Sequence, residues 1–348
     1  MNNKKVTIED VADKAGVSPS TVSRVLNRKA GRHMKEETKK KVEEAIKELG
    51  YTPDKYAQAM RHKETKVIGV LIPDVSNPFF ASLVWGIEDK ASEKGYSTII
   101  CNSQNNPNRE EELVETLIKE KVDGAIFTPC GDDSRAVYEL TDEEIDVVFA
   151  DRKLKETEFP IVTASYFEGS YELTSQLLDN GLERIAYVRG PVNISSVEER
   201  FQGYRHAMRD NGVSIEPGLI QEVDTSRKID YQYENVSLDA GFEIAEEYLG
   251  LAELPDAILA SNDVIAVGII KALREGGVKV PGEVPVCGYD NIPLASYVDP
   301  SLTTIDVPTA KMGEMATEML LNRLGKSRAD KPVENVSTDL IYRDSCPK

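Results

Sequence analysis

VTIEDVADKAGVSPSTVSRVLN, residues 6–27, reads as two short helices joined by a tight turn. Thr7 is placed to cap the first, whose apolar residues Ile8, Val11, Ala12 and Ala15 recur at helical spacing. Gly16 ends it, because glycine enters the left-handed backbone region freely and lets the chain reverse within three or four residues. Ser18 suits the cap of a second helix with Pro19 at its first position, and Val22, Val25 and Leu26 then face back toward the first. A small residue at Ala12, the turn glycine four positions on and Val22 six beyond that have the spacing of a helix-turn-helix. Alanine lets the helices approach, glycine makes the turn and valine fills the gap. A plain αα-hairpin would share these features. A third helix is expected over 36–49, with Val42, Ala45, Ile46 and Leu49 inward.

Charge separates the two readings. The 348 residues carry −18 overall, which taken alone opposes a polyanionic partner. The distribution is lopsided. Residues 1–63 hold 15 Lys and Arg against 9 Asp and Glu, a balance of +6, while 64–348 hold 27 against 51, a balance of −24. A small basic head on a large acidic body fits a head that meets phosphates. The second helix of such a head lies in the major groove with its N-terminal residues over base edges. Outward positions there are Pro19, Ser20, Thr21, Ser23, Arg24 and Asn27. Arg24 is the best base reader, since a guanidinium bonds guanine O6 and N7 together. Thr7, Ser18, Ser23 and Asn27 suit phosphate contacts, which position without specifying.

The chain length suggests two or three domains. With 40% hydrophobic and 29% charged residues it is not a disordered chain. No run of 18 apolar residues predicts a membrane helix, and the N-terminus lacks the apolar region of a signal peptide, so a cytoplasmic location is expected. Cys101, Cys130, Cys287 and Cys346 lie far apart with no CxxC pair or Cys/His cluster. Reduced thiols are expected, not a metal site or a disulfide framework.

From Lys66 the pattern changes. Short β-rich runs (67–73, 96–102, 124–129, 146–150, then 184–190, 257–261, 284–290) alternate with helical stretches (79–94, 108–120, then 198–211, 263–275). This βα alternation implies parallel sheets covered by helices on both faces. No Walker A motif, GxGxxG after a strand or GxSxG occurs, and no nucleophile stands with a base, so an enzyme is not expected. Ligands in open α/β sheets sit at the carboxyl ends of strands. Those ends carry Asp74 to Phe80, Asp151-Arg152, Ser261-Asn262-Asp263 and Gly288-Tyr289-Asp290, and Arg200 opens a helix nearby. Carboxylates and guanidiniums that bond vicinal hydroxyls, with aromatic faces for C–H surfaces, make the chemistry of a sugar site. Taken singly, an Asp at a strand end serves as often as a helix cap, and Phe79 also suits a core.

These segments resemble the LacI/GalR family of transcriptional regulators. The head matches T-I-x-D-V-A-x-x-A-G-V-S-x-x-T-V-S-R-V-L-N, then E-E-T-x-x-x-V-x-x-A-I-x-x-L-G-Y-x-P. The body resembles the periplasmic sugar-binding fold of that family over essentially its whole length, ribose-type binders and ribose repressors nearest. It shows N-P-F-F (77–80), S-Q-N-N-P (103–107), D-R (151–152), E-R-F-x-G-Y (199–204), S-N-D (261–263) and G-Y-D-N-I-P (288–293). The resemblance implies base reading by Pro19, Ser20 and Arg24 and a phosphate contact at His33. It implies that 54–61 forms a hinge helix on operator DNA, Ala57 at the helix–helix contact and Met60, where Leu is usual, as the minor-groove wedge. It puts effector contacts on Asn77, Phe79, Phe80, Asp151 and Arg152, and on Arg200, Asn262 and Asp290; Asp263 joins them by likeness to purine-type relatives. Departures are a longer segment at 28–35 with Lys35 at a cap position, Val307 where Gln is common, Ser165 where V-x-x-D-N is common, and an apparent insertion around 225–236.

The expected protein is an all-α helix-turn-helix head (1–52), a hinge (53–65) and an α/β periplasmic-binding-protein-like body (66–343). Lobe 1 would span about 66–163 and 291–323, lobe 2 about 164–290 and 324–343. It would bind palindromic double-stranded operator DNA as a homodimer, the face on lobe 1 using helix 79–94 with Leu83, Val84 and Ile87, part of that stripe also serving the core, under control of a small pentose or hexose. No cofactor, metal or membrane partner is expected. The alternatives are control by a phosphocarrier protein or a nucleobase and, further off, a stand-alone sugar-binding protein.

Overall fold

The computed structural model describes residues 6–26, 34–51, 64–155, 159–223, 236–324, 332–346 and 348. The chain forms two compact units, Met1–Thr65 and Lys66–Lys348. In the first, α1 (Ile8–Ala15), α2 (Pro19–Leu26) and α3 (Glu36–Leu49) enclose a small core of Val11, Ala12, Val22, Val25, Val42 and Ala45. Thr7 opens α1 with a capping box: its hydroxyl accepts from the Asp10 N–H, and the Asp10 carboxylate accepts from the Thr7 N–H at 2.7 Å. Gly16 closes it at φ 67°, where a Cβ would be strained, and the Val17 N–H donates back to Ala12 O at 3.0 Å. The Ser18 hydroxyl bonds those of Ser20 and Thr21. The hinge positions Ala57 and Met60, like Asn27 and His33, lie outside the described residues.

In the second unit, β1 (Val67–Ile72), β2 (Ser97–Asn102), β3 (Gly124–Phe127), β4 (Asp146–Ala150) and β5 (Ile161–Ala164) alternate with α4 (Pro78–Glu93), α5 (Pro107–Lys119) and α6 (Ala136–Asp142). A second series follows: α7 (Tyr166–Asp179), β6 (Ile185–Arg189), α8 (Ser195–Asp210), β7 (Ile220–Glu222), α9 (Val236–Leu249), β8 (Ala257–Ala260), α10 (Asp263–Glu275), β9 (Val286–Asp290) and β10 (Thr303–Asp306). The chain then adds α11 (Thr309–Arg323), β11 (Val333–Val336) and β12 (Asp339–Ile341). The first sheet has the order β11-β5-β4-β3-β1-β2, the second β12-β10-β9-β8-β6-β7. All pairs are parallel except β10–β12. Strands such as β3 and β8 are buried at every residue, which is why they read as unbroken apolar runs.

The lobe boundaries differ from the sequence expectation. Residues 303–306 pair with β9, Thr303 opposite Cys287, and so belong to the second lobe, not the first. Residues 333–336 pair with β5, Val333 opposite Ile161, and so belong to the first lobe, not the second. Four-residue strands carry no signal for which sheet edge they will extend. The chain therefore crosses between lobes three times, after β5, after β10 and after β11.

The expected dimer stripe on α4, of which part is assigned to the core, is core at all three named positions, Leu83, Val84 and Ile87. The large residue that α4 exposes is Trp85, at 61%. The helix packs on α11 through glycines. A Cβ on Gly86 would run into the carbonyl of Ala310, and one on Gly313 into that of Leu83. Gly86→Ala is expected to cost about 1–3 kcal/mol by forcing these helices apart. Calorimetric melting of the full chain checks this; an unchanged transition for the body would mean the helices separate freely.

Candidate functional site

On the head, Ser18, Pro19, Ser20 and Arg24 are exposed along the start and outer side of α2, and Thr21 and Ser23 are half-buried. Thr7 is exposed, and its hydroxyl also donates to Asp10 at 2.8 Å. The inward Val22 and Val25 fix which face α2 turns outward. Thus seven of the sequence-derived DNA positions lie where side chains or the helix start can be reached, and the remaining four lie outside the described residues.

In the body, the strand ends of both lobes converge on a cleft with about 110 Å³ of free space. Asn77, Phe79, Phe80, Asp151 and Arg152 border it from the first lobe, Arg200, Asn262 and Asp290 from the second. Asn77 and Asn262 are also helix caps: Asn77 Oδ1 accepts from the Phe79 N–H at 3.0 Å, Asn262 Oδ1 from the Ile265 N–H at 2.8 Å. Phe79 and Phe80 stand edge to face, centroids 5.1 Å apart, both only 4% exposed. The Arg152 guanidinium lies 5.4 Å over Phe80 and donates to Pro129 O at 3.1 Å, its Nε 3.5 Å from Asp151.

Arg200 is the most constrained group. Its Nη1 donates to Ser261 O at 2.5 Å, its Nη2 lies 3.2 Å from Asp290, and its Cζ lies 4.6 and 4.3 Å from the rings of Tyr166 and Tyr289. Burial, reinforced by Asp151, pushes the Asp290 carboxyl up to about 7 against the opposing pull of Arg200. Both carboxylates beside the guanidiniums leave their strands with positive φ, 67° at Asp151 and 111° at Asp290. Four buried polar atoms around the cleft make no hydrogen bond within the protein: Arg200 Nε and Ser261 Oγ, and Arg152 Nε and Asp290 Oδ1, which are held only by their ion pairs with Asp151 and Arg200.

One sequence-derived residue stands elsewhere. Asp263 does not border the cleft. Its carboxylate accepts from the Ile292 N–H at 2.8 Å and from the Thr304 hydroxyl, tying the turn after β9 to β10. Burial and the nearby Asp290 hold its pKa well above the ordinary range. Sequence reasoning also missed residues. Asn105 and Ser261 border the cleft from within quoted motifs, Ser196 precedes Arg200 by one helical turn, and Tyr166 had no signal at all. A larger groove of about 660 Å³ runs by Phe149, Phe159 and Phe167, but Arg152, Arg200, Ser261 and Asp290 do not border it. The four cysteines are buried free thiols, and among the described residues no His, Cys, Asp or Glu cluster could hold a metal and no helix is long and apolar enough to cross a membrane.

Comparison with known proteins agrees with this division. Residues 7–54 match the family described as bacterial regulatory proteins, lacI family, and residues 174–346 match the periplasmic binding protein-like domain. The chain is 34% identical over 340 residues to the HTH-type transcriptional regulator RegA of Clostridium saccharobutylicum, covering 97% of this chain and 98% of that protein. It is 33% identical over 339 residues to the ribose operon repressor of Halalkalibacterium halodurans, covering 97% and 96%. Among solved structures, the Lac repressor dimer bound to operator and an anti-inducer superposes with a TM-score of 0.85 at 27% identity, covering 99% of this chain and 100% of that one. These relatives are regulators, not enzymes by name. The chain belongs to the LacI/GalR family of DNA-binding transcriptional regulators.

Proposed function

We propose that this regulator acts in the cytoplasm as a repressor, binds a near-palindromic operator as a dimer, and responds to a small uncharged sugar, a pentose or hexose, held between its lobes. The observation that carries the effector reading is the set of four buried atoms that make no hydrogen bond within the protein, two of them, Arg152 Nε and Asp290 Oδ1, engaged only in ion pairs. Two are N–H donors, one is a carboxylate acceptor and one is a hydroxyl, so the cleft asks for groups that donate and accept at once. Sugar hydroxyls do both, and Phe79 and Phe80 offer apolar cover for the C–H face. A phosphate is disfavoured, because Arg152 and Arg200 each already face a carboxylate and Asp74 adds a third. The small free volume favours a compact ligand over an oligosaccharide. Contacts from both lobes let the ligand change how the lobes meet. By linkage, a sugar that weakens DNA binding is itself weakened by DNA.

Calorimetric titration with pentoses, hexoses and their phosphates is expected to find one neutral sugar that binds, with affinity lowered about 100-fold by Arg200→Ala. Binding of only phosphorylated sugars, nucleobases or a phosphocarrier protein would sink the sugar assignment and leave the DNA reading standing. For that sugar, affinity is expected to fall about tenfold from pH 8 to pH 6, since Asp290 is ionised above about 7 and protonation removes an acceptor and its attraction to Arg200. Titrations across this range with Asp290→Asn are expected to be flat. On the head, Arg24→Ala is expected to cost about 1–3 kcal/mol against operators selected from random DNA and to relax the sequence at one position of each half-site. Equal loss on all sequences would reassign Arg24 to phosphate.

A further inference from the structure

Tyr166 opens α7 just after the chain first passes from one lobe to the other, and it is fully buried. It does not border the free space of the cleft. Its phenol donates to Asp151 of the first lobe, the residue that faces Arg152. Its ring lies against the Arg200 guanidinium of the second lobe, and the Tyr289 hydroxyl donates to its backbone carbonyl at 3.2 Å. Burial and the facing Asp151 carboxylate hold the phenol far above its ordinary pKa, so the proton stays on Tyr166 and the bond runs from phenol to carboxylate. One side chain thus touches the carboxylate that partners one cleft guanidinium and the face of the other.

We infer that Tyr166 is a positioning residue that couples the two lobes, its hydroxyl fastening Asp151 and its ring setting Arg200, so that the two cleft guanidiniums move as one unit. Its meaning for regulation rests on the cleft being the effector site; the contacts themselves do not. Tyr166→Phe keeps the ring and removes only the hydroxyl.

The test is hydrogen–deuterium exchange on the full-length protein without any ligand. In Tyr166→Phe, exchange is expected to rise about tenfold in segments 150–155 and 286–292, the loss of one hydrogen bond to a charged acceptor. Strands β1 and β8 are expected to exchange as before. Asp151→Gly, chosen because the backbone there is left-handed, should reproduce the change at 286–292, in the other lobe. The double variant should add nothing further. Faster exchange confined to 164–170, or effects of the two substitutions that simply add, would overturn the coupling. If Tyr166→Phe does not fold, Asp151→Gly alone carries the test, and an unchanged 286–292 segment refutes it. Because no sugar enters the experiment, a cleft that binds none would leave this result intact.

Discussion

A guanidinium that is 6% exposed has given up nearly all its water, and that loss must be made good by groups fixed in place around it. Arg200 is such a group, and its partners come from separate parts of the second lobe. Asp290 ends β9, Ser261 follows β8, Tyr289 lies in β9 and Tyr166 begins α7. Each contacts the same guanidinium, which ties together the strand ends that carry them. The carboxyl end of the second sheet is organised by this one buried charge, with Asp263 bracing the turn behind it.

The two lobes solve the same problem in the same way. Each brings an arginine to the cleft and sets a carboxylate beside it at a strand end with positive φ. Residues other than glycine persist there only where their surroundings over-determine them. Asp151 and Asp290 are over-determined by their ion pairs and, for Asp151, by the bond from Tyr166. The local strain keeps the carboxylates turned toward the cleft, away from the sheet.

What could be read in the sequence was what is decided locally. The head was legible because a cap, a turn glycine and an apolar stripe all fall within twenty-two residues; of the expected inward residues, Val11, Ala12, Val22, Val25, Val42 and Ala45 are buried and the rest pack against them partly buried. The alternating body was legible because parallel strands covered on both faces become continuous apolar runs. Of the nine residues expected at the cleft from strand ends and the family resemblance, eight border it; Asp263, on the same SND motif, turned the other way to brace β10. Misplacement of 303–306 and 333–336 has a different cause: a short strand's choice of sheet is settled by partners far along the chain. The α4 stripe misled because packing on a sheet, packing on α11 and packing on a second copy impose the same helical period. Tyr166 was invisible because its value lies in two residues, Asp151 and Arg200, to which nothing near it in sequence refers.

The three crossings between lobes bear on how the chain acquires its shape during synthesis. The first sheet lacks its edge strand until residues 333–336 have emerged, and the second lacks its own until 339–341. No growing chain therefore holds a finished lobe, however long it waits. The head is complete within the first fifth of the sequence, from residues that need no later partner. A nascent polypeptide thus carries its DNA-binding unit in finished form long before the part that would govern it can close.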